Sequence, residues 1–229
     1  MPATGFFSGC TAAVLHGVPL PRAEGSSPAL HVSVAAPARA PRGRGITGHS
    51  VVVGTGDVVV HNGLPISSVE RTWCELSSVL SVEDLVVAGD HLVRRRAPLT
   101  TVDRLRTAIR RYPGRRGRER LRLSIELLDP FAESPQESRL RLRLSTGGIA
   151  GFQANRAIAT SSGRHYRGDL VFAAEGVILE YQGDHHRDPQ QFRRDLSRQL
   201  DLQADGWTVV LLGPSDIADP DWSVGRARS

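Results

Sequence analysis

Between residues 152 and 212, three strand-like runs precede a helix-like run and one last strand-like run, an order that leaves few possible folds. The runs cover 152–160, 166–173 and 177–183, then a helix over about 189–203 and a strand over 208–212, with a helix at about 135–144 ahead of them. Short turns let the first three strands pair as an antiparallel meander. A strand that returns through a helical crossover joins the sheet on a longer path. The spacing predicts an α-β-β-β-α-β sandwich in the second half of a mixed α/β chain.

Two of these strands carry acids at matching distances from one turn. The register that pairs Ala173 with Gly176 puts Asp169 opposite Glu180, Val171 opposite Ile178 and Arg167 opposite Gln182. Side chains directly opposed on a sheet have Cβ atoms about 4.5–5.5 Å apart, and like charges there are destabilising. A cation between the two acids, or a proton on one of them, relieves the repulsion. Mg²⁺ takes carboxylates and waters as ligands, and a bound divalent ion can activate water against a phosphodiester. The plainer alternative is a pair of exposed acids at strand ends.

Other candidates have plain alternatives too. Ser134-Pro135-Gln136-Glu137 has the form of a capping box with Pro at the first helical position. Glu137 therefore closes a helix start, joins the acids, or does both. Asp195 and Arg198 have the spacing of an intrahelical ion pair. His185 and His186 are adjacent and would point to opposite faces of a strand. Trp207 opens an apolar strand and reads as core. Cys10 and Cys74 are too few for a disulfide framework or a four-ligand zinc site and read as small buried residues.

The first 90 residues read as mixed α/β. A short helix over 8–16 stops at Gly17-Val18-Pro19, and 30–34 alternates like a strand. Val51–Val53 and Val58–Val60 flank Gly54-Thr55-Gly56-Asp57 and read as a hairpin. Ser67 or Ser68, and then Ser81, are N-caps of two further helices.

Charge is uneven. All 29 basic residues other than histidine are Arg, which excludes chemistry that needs a lysine. From His91 to Arg122 there are 12 Arg against Asp103 and Glu119, a charge of +10 in a chain whose total is +5. The segment reads either as a surface for a polyanion or as a solvated helix face and linker. Pro113-Gly114 ends one Arg-rich helix, and 114–117 reads as a domain boundary. The resulting division is a mixed α/β region over 1–93, an Arg-rich helical linker over 94–129 and the sandwich over 130–229.

Composition fills in the rest. Forty per cent of the chain is hydrophobic, enough for a real core. The longest apolar runs are far short of the about 20 residues a bilayer span needs. The N-terminus has no signal-peptide pattern, so a soluble cytoplasmic protein is the expectation.

Asp169-Leu170, then Glu180-Tyr181-Gln182-Gly183 with His186, resembles the endonuclease-like domains related to very-short-patch-repair nucleases, within the PD-(D/E)XK restriction-endonuclease-like superfamily. Glu137 with Arg139 and Leu140, Asp195 with Arg198, and Gly206-Trp207 fit the same pattern in order, over about 130–215. The resemblance implies Mg²⁺ or Mn²⁺ held by Asp169 and Glu180, with Glu137 as a further acidic member. It implies that Gln182 stands where the superfamily has a lysine, and that His186 assists proton transfer. Gln can orient a water but supplies no positive charge. Residues 11–21, Val69-Glu70-Arg71-Thr72 and Asp90 resemble abortive-infection type IV antitoxin-like proteins, in which a winged-helix segment usually comes first. Together the resemblances imply an endonuclease acting on nucleic acid, most simply DNA, and the charge of the Arg segment gives Arg115, Arg116 and Arg118 as phosphate contacts. They also leave open a non-catalytic DNA-binding antitoxin or regulator, and a toxin or other defence protein as partner.

Overall fold

The computed structural model describes residues 4–26, 28–182, 189–214 and 216. The chain divides into two compact units, Met1–Pro130 and Phe131–Ser229.

In the first unit a strand β1 (Phe6–Phe7) leads into α1 (Gly9–Leu15), α2 (Arg22–Gly25), β2 (Leu30–Ala35), β3 (Ile46–Val51), β4 (Val58–His61) and β5 (Leu64–Ser67). Helices α3 (Val69–Leu76), α4 (Val82–Val93), α5 (Val102–Arg111) and α6 (Arg118–Ile125) follow. The strands form one mixed sheet in the order β3-β2-β1-β5-β4.

That order corrects the expected hairpin. Val51 and Val58 belong to strands at opposite edges of the sheet, and residues 52–57 carry the chain from one to the other. The local hairpin is β4 with β5, paired from Val58↔Ser67 to His61↔Leu64. It closes on Asn62-Gly63, the dipeptide that two-residue hairpin turns favour.

The helices bury a continuous apolar stripe. Trp73, Leu76, Leu85, Leu92, Leu105, Leu121 and Ile125 lie in one cluster, and the Trp73 indole donates to the Leu85 carbonyl at 2.9 Å. Leu105 and Leu121 are as buried as Trp73. Residues 94–129 are therefore not a separate linker, and 114–117 is a turn inside the first unit. The Arg-rich helices are amphipathic: their apolar stripes carry enough burial to dock, while the arginines occupy the outer faces.

In the second unit the order is α7 (Pro135–Thr146), β6 (Phe152–Ala159), β7 (His165–Phe172), β8 (Val177–Tyr181), α8 (Pro189–Ala204) and β9 (Thr208–Leu212). The sheet runs β6-β7-β8-β9. Its first three strands are an antiparallel meander, and β9 joins β8 in parallel after the α8 crossover. Leu170, Phe172 and Leu179 pack with Leu140 and Leu144 of α7. Val171 and Ile178 pack with Leu202 of α8 and with Trp207. This α/β arrangement brings the α8 side chains over the ends of β7 and β8.

Candidate metal centre and arginine surface

The register around the acids is the one the turn implies: Leu170↔Leu179, Val171↔Ile178 and Phe172↔Val177. The ladder stops there, one residue short of Asp169. On the other side of β7, Ala154↔Leu170 and Arg156↔Gly168 pair while Asn155 and Asp169 between them do not. Asn155 has a left-handed backbone, φ 48°. A Cβ on Gly168 would lie 2.6 Å from Ile178 Cγ2 and 2.7 Å from Val171 Cγ2. Gly168 and Val171 thus share a face although they are three residues apart, so the alternation slips at Asp169. Such irregularities re-aim a side chain. Here the Asp169 carboxylate accepts the N–H of Tyr181, the residue after Glu180, at 2.9 Å.

Burial pushes the Asp169 carboxyl up to about 7. The Tyr181 N–H opposes the shift, the charges of Glu137 and Glu180 add to it, and Arg198 lowers it. Glu180 is buried. Arg198 of α8 grips it, with Nη1 2.6 Å from one carboxylate oxygen and Nη2 on the other. Nη2 also donates to the Arg167 carbonyl at 2.5 Å. Arg198 thus departs from the expected pairing with Asp195 along its own helix. Burial decides the direction: a carboxylate sunk in the sheet gains more from a guanidinium than an exposed helical acid does. Sequence spacing offered no sign of this contact, which the crossover alone creates.

Glu137 serves as cap and as acid together. Ser134 Oγ accepts the Glu137 N–H at 3.2 Å, as the capping motif predicts. The Glu137 carboxylate accepts from the Glu133 N–H at 2.9 Å and from Asn155 Nδ2 at 2.5 Å. It is buried, and its charge reaches Asp169. Gln182 follows β8, its backbone N–H donating to the Leu212 carbonyl at 2.7 Å. His186 lies outside the described residues.

Asp169 and Glu180 suit a hard divalent cation in donor type. Among the described residues no set of three or more His, Cys, Asp and Glu side chains is grouped to hold a metal. A site of two carboxylates matches Mg²⁺, which is commonly bound by one or two of them, with waters and substrate phosphates completing its shell. Among the described residues the cation that bears on the Asp169 shift is Arg198, set against the charges of Glu137 and Glu180.

In the first unit much of the arginine charge is spent internally. Arg104 pairs with Glu70 at 2.9 Å and Arg122 with Glu119 at 2.6 Å. Arg120 donates to the carbonyls of Ser77 and Leu80, and Arg118 to that of Tyr112 at 3.1 Å. Arg115 and Arg116 are exposed. Arg71 forms a separate, closed network. It donates to Glu75 at 2.9 Å, to Asp57 at 2.8 Å and to the Val52 carbonyl at 3.1 Å. Its guanidinium sits 5.0 Å from the Tyr112 ring centroid. Burial pulls its pKa down, but Glu75 and Asp57 outweigh that and hold it above its ordinary value. Cys74 beside it is pushed up to about 12 by burial, which leaves it an inert buried thiol.

The chain is similar to two uncharacterized proteins of Mycobacterium tuberculosis, from strains CDC 1551 / Oshkosh and ATCC 25618 / H37Rv. Each is 29% identical over 114 residues, which cover 49% of this chain and 42% of the relative. The match thus spans less than half the length of these curated relatives. No family model matches the chain, and no solved structure matches it. Among the described residues no helix is long and apolar enough to cross a membrane.

Proposed function

We propose that the second unit is a restriction-endonuclease-like module that hydrolyses nucleic-acid phosphodiesters with a divalent ion, Mg²⁺ or Mn²⁺, at Asp169 and Glu180. The observation that carries the proposal is the set of acids on β7, β8 and α7, in which Asp169, Glu180 and Glu137 meet Arg198 among the described residues and Asp169 is pushed up to about 7. A bound divalent ion supplies charge for the phosphate and a water of lowered pKa. In this reading the protein's own groups do the rest. Asp169 and Glu180 are the oxygen ligands, and Glu137 holds Asn155 while adding negative charge near them. Gln182 orients a water by hydrogen bonding, and His186 moves a proton near neutral pH. Arg115, Arg116 and Arg118 of the first unit supply phosphate contacts, and DNA is the proposed partner.

A second reading, a DNA-binding antitoxin or regulator that keeps the nuclease fold without catalysis, is favoured by one observation. Gln182 brings no positive charge, and the Arg198 guanidinium beside the acids is bound to Glu180. A toxin or other defence protein is the partner in that case. Incubation of the full chain with single-stranded, nicked and mismatched DNA in Mg²⁺ or Mn²⁺ separates the two. Cleavage that is lost in Asp169→Asn and in Glu180→Gln supports hydrolysis. Salt-dependent binding with every substrate intact supports the regulator.

A further inference from the structure

We infer that Arg198 couples ion loading to nucleic-acid binding: its guanidinium holds Glu180 when the site is free, and a backbone phosphate draws it away and opens Glu180 to the ion. The inference rests on reading Asp169 and Glu180 as ion ligands. Both Nη groups of Arg198 are spent on the two oxygens of one buried carboxylate. The guanidinium fills one lone pair on each oxygen and sets its own positive charge against them, so it competes with a cation for this carboxylate. The planar fork that matches a carboxylate matches a phosphate equally well, so the same donors serve either partner.

The surroundings suit an exchange. The Arg198 side chain is 25% exposed while that of Glu180 is 11% exposed, so a phosphate arriving from solvent meets the arginine first. Arg198 lies 5.8 Å from the Tyr166 ring centroid. That ring is fixed by its hydroxyl on Asp201 at 2.5 Å, and Asp201 is fixed by Arg164 at 2.7 Å. The guanidinium thus lies near a ring that is itself held in place, and it exchanges Glu180 for a phosphate beside that ring. Its third contact, the Arg167 carbonyl, is a neutral acceptor and can exchange for water. Coupling of this kind is reciprocal: what phosphate does for the ion, the ion does for phosphate.

The test is Mn²⁺ titration of the full chain, alone and with a saturating phosphorothioate duplex chosen to resist cleavage. Glu180→Gln corrects for ions condensed on the DNA. Wild type binds Mn²⁺ roughly 5- to 150-fold more tightly with the duplex than without, the usual range of such coupling. Arg198→Gln binds Mn²⁺ more tightly than wild type in the absence of DNA, and the duplex then adds little. Arg198→Lys keeps the charge, loses the fork and shows intermediate coupling; it decides the question if Arg198→Gln melts early. Wild-type coupling in either variant overturns the inference while leaving the ion site standing. Failure of wild type and Arg198→Gln alike to bind Mn²⁺ overturns the ion site itself, and the inference with it.

Discussion

Each unit sets an arginine among carboxylates, Arg71 buried and Arg198 half-buried, and the two clusters are balanced differently. Around Arg71, one guanidinium faces Glu75, Asp57 and a carbonyl, and a tyrosine ring covers it. Every contact there closes on another, and the arginine is held above its ordinary pKa. Around Arg198, one guanidinium answers Glu180, and burial first, then the charges of Glu137 and Glu180, push the Asp169 carboxyl up to about 7. The first cluster fastens α3 to the 52–57 segment. The second sets three acids against one guanidinium among the described residues, and on the proposed function that imbalance is what a ligand would answer.

If the Arg71 network is structural, Arg71→Ala strands two carboxylates in a site built for their counter-ion. The expected loss is about 3–5 kcal/mol, read as an early transition in urea unfolding. A loss under about 1 kcal/mol would place Arg71 with ordinary surface arginines.

Asp169→Asn should do the reverse and stabilise the second unit. The folded-state pKa of Asp169, about 7, lies above its ordinary 3.8, so the native state holds a proton the unfolded chain releases. Its favourable contribution is full below about pH 4 and is lost as pH rises through about 7. Above that, the amide, which can still accept the Tyr181 N–H, should gain on the order of 2–4 kcal/mol without metal. Melting curves at acid and alkaline pH check the sign: a gain confined to low pH would contradict it.

Gly117 tests whether residues 94–129 belong to the first core. Its φ is +80°, and a Cβ there would meet the Ser77 carbonyl oxygen at 2.1 Å. Gly117→Ala should cost roughly 1–3 kcal/mol in thermal unfolding. A free linker would not register the change.

The smallest stability effect belongs to the outer arginines. Replacing Arg115, Arg116 and Arg118 with Gln should alter stability by less than about 0.5 kcal/mol. It should make the slope of log K against log salt on duplex DNA shallower by about 2–3, each phosphate contact contributing about 0.9. An unchanged slope would leave these residues as a solvated face.

What was legible in the sequence was local. Ser68, Ser81 and Ser134 each accept the N–H three residues on, because a cap needs only its own first turn. The meander and the register of β7 with β8 followed from short turns and alternating apolar residues. What escaped was non-local. Phe6–Phe7 is only two residues long yet forms the middle strand of the first sheet. Pro65 masked β5 as a strand, although it pairs with Val60. The slip at Asp169 depends on Asn155 across the sheet, and the grip of Arg198 on Glu180 depends on a crossover that spans 18 residues. The acids were visible as residues; their burial and their one guanidinium partner among the described residues were visible only in three dimensions.

Whether a divalent ion balances these acids decides the reading of the second unit. Titration of the full chain with Mn²⁺ at about pH 8, where Asp169 is ionised, tests it most directly, because proton and metal compete for the same carboxylate. One ion per chain should bind, with affinity that falls as pH drops through about 7 and that is largely lost in Asp169→Asn. Equal binding by wild type and Asp169→Asn, or affinity indifferent to pH across that range, would contradict it.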